Sequence, residues 1–211
     1  MAKEAVRAGI VASRGFFLME ADYASLEVRG NAMVSLDPGL LGYLEDTTTD
    51  MHRDQAIELF CLHGMDIDWK HDKFYKSLRQ FAKNQFVFAE FYGDFAGSTA
   101  KTLWKSIQKD SKLKVHMKAK GFIHYPRFEE HVYSCEKKLW QRFQVLKNWR
   151  IQANEFYKKN GYIQSFMGFR ECGYLRKNQV CNMPVQGPCF HLLLWSASQI
   201  NKWLKKRCGQ E

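Results

Sequence analysis

Between Pro126 and Asn160 apolar side chains recur at steps of three and four: Phe128, Val132, Cys135, Leu139, Phe143, Leu146, Trp149, Ala153 and Phe156. A helix turning once per 3.6 residues lines such positions on one face, so the pattern predicts a helix of about thirty residues with one apolar stripe. Residues 51–62 repeat the logic on a shorter scale. Thr47-Thr48-Thr49-Asp50 supplies N-cap chemistry, Ala56, Ile57, Leu59 and Phe60 form the apolar face, and Gly64 closes the element. Residues 25–35 read as helical until Asp37-Pro38-Gly39 breaks the chain. Residues 73–91 contain neither Gly nor Pro and predict a long helix ended by Tyr92-Gly93. A further helix is expected over 98–110, and the lysine-rich SKLKVHMKAKG that follows reads as a solvated connector or hairpin.

The remaining apolar runs are of strand type. GFFLMEADY, residues 15–23, predicts a buried strand that delivers the single carboxylate of Asp22 to its end. Residues 161–168 alternate like a strand, 169–179 read as a loop carrying Arg170, Arg176 and Lys177, and a last helix over 186–206 uses Phe190, Leu192, Leu193, Leu194, Ile200 and Leu204 as its apolar positions. The predicted class is α+β, mainly helical, without the βαβα order of a doubly wound sheet.

Composition adds a partner to this picture. With 211 residues, 45% hydrophobic and 15% aromatic, the chain can bury a core, which excludes disordered, collagenous and coiled-coil readings. Its net charge of +10 points to a polyanion. The charge is unevenly placed: residues 1–69 hold 5 basic and 12 acidic side chains, residues 70–150 hold 18 and 7, and residues 151–211 hold 9 and 3. An acidic first third therefore leads into a basic remainder. The sequence has no signal-peptide core and no apolar run of about 18 residues, which predicts a cytoplasmic protein, in the host cytoplasm if phage-encoded, with no membrane partner. The six cysteines form neither a C-x-x-C pair nor a finger-like spacing, so reduced and mostly buried thiols are expected.

Three clusters carry candidate chemistry. Asp22 at a strand end, with the adjacent backbone carbonyl, suits a hard Mg²⁺ ion or else serves as a helix N-cap. Glu27 close behind it needs a partner or a task if buried. Arg79 and Lys83 lie one helical turn apart and project side by side, either to hold adjacent phosphates or as a solvated basic face; aromatics further along offer a stacking surface. Asn182 and Gln186, in Asn-Met-Pro-Val-Gln-Gly, present amides that read base edges or cap a helix, and His52 sits in a helical first turn where it can help hold a phosphate.

The order of these motifs resembles family A DNA polymerases, the bacterial polymerase I and phage replicative type, from about Val6 onward, and looks closest to phage members. The resemblance implies a partial palm over 1–68 with the first catalytic carboxylate, a fingers subdomain and following long helix over 69–160, and over 161–211 a palm return strand, loop and Gln-Gly helix. It implies that Asp22 is the first of two carboxylates holding two Mg²⁺ ions, with the Tyr23 carbonyl serving the same ions. Glu27 would exclude a ribose 2′-OH together with the fingers tyrosine. His52, Arg79 and Lys83 would hold the triphosphate of a dNTP, Tyr92 would stack near the templating base, and Arg170, Asn182 and Gln186 would touch primer–template DNA. Such roles suit phosphoryl transfer, which depends on charge neutralisation more than on covalent chemistry.

The departures from the family pattern are informative. Ala24-Ser25 stands where the family has Ser-Gln. The family places Tyr eight residues after its Lys, whereas Tyr92 is nine after Lys83, so either the helix carries a π-bulge or Phe91 stands where Tyr is expected. The residue facing the sugar is correspondingly open among Phe86, Val87 and Phe88. No Asp or Glu lies between Cys172 and Gln210, and His71-Asp72 precedes the fingers helix rather than occupying a hairpin. The sequence thus predicts one piece of a split or truncated polymerase, truncated before the second catalytic Asp and completed by a second polypeptide that brings that Asp and a thumb. The alternative is an inactive remnant that binds nucleotide and primer–template through its basic lobe; a basic DNA-binding module of other ancestry is the third reading.

Overall fold

The computed structural model describes residues 8–207. In chain order its elements are α1 (Leu26–Ser35), α2 (Pro38–Glu45), α3 (Met51–Leu59), α4 (Lys73–Ala82), a π-helical segment (Lys83–Val87), α5 (Phe88–Phe91), α6 (Ala96–Lys109), α7 (Ser111–Ala119), α8 (Tyr125–Arg142), α9 (Gln144–Asn160), β1 (Tyr162–Gln164), β2 (Arg170–Cys172) and α10 (Lys177–Arg207). The two strands pair antiparallel, with Ile163 opposite Glu171. The architecture is mainly helical, as the sequence pattern predicts, with one small hairpin.

The core forms where α3, α4 with its π-helical continuation and α5, α6 and α8 pack together. Phe60, Phe86, Phe91, Phe128 and Phe143 have no exposed surface, and the Phe91 ring meets Phe143 edge-on with centroids 6.2 Å apart. A smaller cluster of Ala153, Ile163, Leu175 and Val180 ties the hairpin to α9 and α10.

Several expectations are corrected. Residues 15–23 are not a buried strand: Phe16 and Phe17 are 76% and 86% exposed, and among the described residues both strands already pair with each other. An apolar run forms a strand only where a neighbour accepts its backbone bonds. The lysine-rich stretch is not a connector but helix α7. The Asp110 carboxylate accepts the Leu113 N–H at 3.0 Å, Leu113 and Met117 are fully buried, and the lysines occupy other faces. The long helix expected after Pro126 is two helices, parted at Phe143 (φ −112°, ψ 56°). The loop expected over 169–179 contains β2, and α10 begins at Lys177 rather than Gln186. Its expected apolar positions Phe190, Leu192, Leu193, Leu194, Ile200 and Leu204 are exposed. Cys135, Cys181 and Cys189 are buried thiols and Cys61 is half-buried, but Cys172 is exposed. Cys208 and Glu211 lie outside the described residues. Among those described, no helix is long and apolar enough to cross a membrane.

Asp37, expected only to break the chain, instead joins two helices. Its Oδ1 accepts the N–H groups of Gly39 (2.8 Å) and Leu40 (3.2 Å) at the start of α2, while Oδ2 accepts the Leu146 N–H (2.9 Å) in the first turn of α9. The carboxylate is buried and satisfies donors that helix starts otherwise leave unpaired. Gly39 allows this approach: a Cβ there would lie 2.9 Å from the Arg142 carbonyl oxygen. Asp37→Ala should therefore lower stability by about 2–4 kcal/mol, the cost of stranding several buried donors. Urea denaturation measures it, and a loss below about 0.5 kcal/mol would contradict the double cap.

Candidate active site

The helix starting at Asp72, whose carboxylate accepts the Phe74 N–H at 2.8 Å, carries Arg79 and Lys83 on one face. Continuing in α geometry, Tyr92 would fall on the opposite side from Lys83. The π-helical turn of Lys83–Val87 absorbs one residue and returns Tyr92 toward that face. The same turn separates the three candidates for the sugar-facing position. Phe86 and Val87 are fully buried. Phe88 is half-buried, and its ring centroid lies 5.3 Å from Lys83 Nζ, 5.4 Å from the His52 ring and 6.1 Å from the Tyr92 ring. Phe88 is thus the accessible member.

Asp50 links this helix to α3. Its Oδ1 accepts the N–H groups of His52 (3.0 Å) and Arg53 (3.1 Å), and its Oδ2 accepts Arg79 Nε at 2.7 Å. Burial disfavours the Asp50 carboxylate, yet the Arg79 and Arg53 hydrogen bonds outweigh it and hold the group below the usual carboxylate range. His52 is 4% exposed. Burial first, then the charges of Arg79 and Lys83, push its imidazole down to about 4 against the pull of Asp50. At neutral pH it is uncharged, and its buried Nδ1 has no hydrogen-bond partner. Two cations and a neutral imidazole with unused bonding capacity make a surface suited to an anion.

The other side is built by α1 and α10, which approach closely at Gly30: a Cβ there would lie 2.8 Å from both Val185 Cγ1 and Cys189 Sγ. That packing sets Glu27 and Gln186 beside Tyr92. Gln186 Nε2 donates to the Tyr92 hydroxyl at 2.6 Å. Burial raises the Tyr92 phenol, the Gln186 bond opposes this, and the nearby Glu27 and Cys189 raise it further, so Tyr92 stays protonated. Beyond Tyr92 a cleft of about 770 Å³ opens between this helix and the start of α10, lined by Phe88, Tyr92, Phe95, Arg176 and Lys177.

His52, Arg79, Lys83 and Tyr92 are therefore brought together, with Glu27 and Gln186 across from Tyr92. Asp22 and Arg170 are not. Asp22 is exposed and lines a separate cleft with Tyr23, Ser196 and Ile200, where the Tyr23 hydroxyl hydrogen-bonds to Ser196 Oγ. Arg170 is exposed on the hairpin, donating to Gln164 Oε1 at 2.6 Å and lying 4.7 Å from the Tyr162 ring centroid. Asn182 is half-buried one turn before Gln186, and its Oδ1 has no partner. Sequence reasoning treated Asp50 only as a cap. The signal for its second role is a cap carboxylate with one oxygen left over, which Arg79 meets from α4.

The sequence matches DNA polymerase family A over residues 1–210. The chain belongs to DNA polymerase family A. It is 24% identical over 212 residues to the DNA polymerase I of Chloroflexus aurantiacus and 22% identical over 203 residues to that of Pseudomonas aeruginosa, covering 96% and 95% of this chain. It spans about a fifth of those relatives, 19% and 20% of their lengths. Among solved structures it is similar to the POL domain of Pol1 from M. smegmatis in complex with DNA primer-template and dNTP. That similarity has a TM-score of 0.48 at 22% identity and covers 79% of this chain and 26% of that one.

In this family A chain the His52 environment is directly measurable. Because Arg79 and Lys83 oppose its protonation, either Arg79→Ala or Lys83→Ala should raise the His52 midpoint from about 4. Saturating sulfate should also raise it, since a bound anion favours the imidazolium. NMR titration of the His52 ring in each protein checks this, and an unmoved midpoint in Arg79→Ala would remove the electrostatic account of the cluster.

Proposed function

We propose that this family A chain contributes nucleotide-binding fingers and part of the palm to template-directed DNA synthesis. In that reaction the primer 3′-oxygen forms a bond to the α-phosphorus of a dNTP, and the bond to the departing pyrophosphate breaks. The observation that carries the reading is the row Arg79, Lys83, Phe88 and Tyr92 along one helical segment, with Asp50 and His52 of α3 set against it, so that phosphate-binding groups and a stacking face follow one another.

In this reading Arg79 and Lys83 neutralise the triphosphate, with Asp50 fixing the Arg79 fork and His52 offering a neutral ring nitrogen. Phe88 stands beneath the sugar, Glu27 guards its 2′ position from across Tyr92, and Tyr92 supports the templating base. On the DNA side Gln186, Asn182 and Arg170 contact primer–template; the unpartnered Asn182 Oδ1 supplies an acceptor for it. The proposed division places a partial palm over 1–68, fingers and the following helices over 69–160, and the returning palm over 161–211.

The two Mg²⁺ ions of this chemistry would neutralise the transferring phosphate. Among the described residues Asp22 is exposed, and no group of three His, Cys, Asp or Glu side chains converges to hold them. Asp22 and the Tyr23 carbonyl are therefore proposed as one part of that site. A carboxylate from a segment outside these 211 residues, joined or separate, supplies the rest.

Lys83→Ala should weaken binding of a fluorescent dNTP about tenfold, the cost of losing one charge-assisted phosphate contact; unchanged affinity would refute the assignment. DNA affinity should fall steeply between 50 and 200 mM salt, as several phosphate contacts require, with a flat response counting against the basic face. With Mg²⁺, dNTPs and a primed template, the chain alone should be inert and extension should appear on adding the polypeptide that carries the missing acidic hairpin. Nucleotide binding without extension in any such mixture would favour the inactive-remnant reading.

A further inference from the structure

On the face of the fingers helix away from Phe88 and Tyr92 lies a buried acid with no part in the reading above. Glu90 has no exposed surface. Its Oε2 accepts the Trp140 indole N–H at 3.3 Å from α8, and its Oε1 accepts the Thr99 hydroxyl at 3.4 Å from α6. Glu136, half-buried on α8, acts on Glu90 as a neighbouring carboxyl, and its Oε1 accepts the Ala96 N–H at 3.0 Å at the start of α6. From α9 the Arg150 guanidinium lies 4.5 Å over the Trp140 ring, and its charge favours the ionised form of Glu90. A fully buried carboxyl set beside a second carboxyl favours the form that keeps a proton.

The main chain of Glu90 is equally engaged. Its carbonyl accepts the Gly93 N–H at 3.2 Å, which closes the turn that carries Tyr92. The residue that anchors the helix through its side chain therefore also terminates it through its backbone.

We propose that Glu90 and Glu136 share a proton and act together as a positioning pair for Phe88 and Tyr92, fixing the end of the fingers helix against α6 and α8, and that loss of this proton releases the Tyr92-Gly93 turn. Burial, reinforced by repulsion from Glu136, raises the Glu90 carboxyl to about 8 against Arg150 and Trp140. The folded protein then holds a proton that the unfolded chain releases near 4.5. The stability that this proton provides is complete below 4.5, falls as pH rises toward 8, and is gone above it. The pair concerns the face to which nucleotide contact was assigned, but its test needs no nucleotide and is decided separately from that assignment.

The test is amide and indole NMR of the full chain between pH 6 and 9.5. The Trp140 indole N–H should titrate with a midpoint near 8. Above it the Tyr92 and Gly93 amides should lose protection by up to about tenfold per pH unit beyond the ordinary base-catalysed increase, as opening coupled to one proton requires. Glu90→Gln, which keeps the shape and the hydrogen bonds without a titrating proton, should abolish both effects and keep the turn protected throughout. Glu136→Gln should shift the Trp140 midpoint downward by removing the repulsion, and it decides the matter if Glu90→Gln does not fold. An indole signal that does not titrate, loss of protection in Glu90→Gln equal to that of the natural chain, or an unmoved midpoint in Glu136→Gln would each overturn the proposal.

Discussion

At about 100° per residue the nine steps from Lys83 to Tyr92 end roughly half a turn away from where they began. A purely α-helical segment would then place the cation and the phenol on opposite sides and divide the site. The π-helical turn of Lys83–Val87 removes that conflict by taking up one residue. Its consequences spread in both directions: Phe86 and Val87 turn into the core, Phe88 lies between Lys83 and Tyr92, and Tyr92 comes within reach of Gln186. Such turns are rare because their hydrogen bonds and packing are poorer than those of an α-helix. This one is held by core side chains on one side and by the Asp50–Arg79 pair on the other.

That pair also explains why the charge asymmetry of the chain is structural as well as functional. Asp50 comes from the acidic first third and Arg79 from the basic middle, and their 2.7 Å contact joins α3 to α4. A bidirectional cap of this kind aligns the arginine without neutralising the site, since Lys83 adds charge and His52 remains uncharged. The result is a surface whose positive character is retained while its geometry is fixed, which is the pre-organisation that anion binding needs.

Much of this was legible in the sequence because it depends on local pattern. The cap at Asp50, the apolar steps of α3 and α8, and the extra residue in the Lys-to-Tyr spacing are all statements about neighbours in the chain. What could not be read was relational. Asp37 looks like a chain break because its Leu146 partner is 109 residues away. The helix of α7 was hidden by lysines whose charge says solvent, whereas Leu113 and Met117, four apart, supply the stripe that docks it. The split at Phe143 leaves the apolar stripe in phase, so periodicity alone carries no trace of it.

The same distinction governs the largest misreading, the expected burial of GFFLMEADY and of the apolar positions on α10. Hydrophobicity states what a side chain favours, but burial also requires a surface to pack against and, for a strand, a neighbour to satisfy its backbone. Among the described residues neither is provided: Phe16 and Phe17 stand exposed, and so do Phe190, Leu193 and Trp195. Asp22 inherits its exposure from this segment and not from its own chemistry. The cationic side of the site rests on a core built from α1 through α9 without residues 15–23, which is why Arg79, His52 and Lys83 converge while Asp22 stands apart.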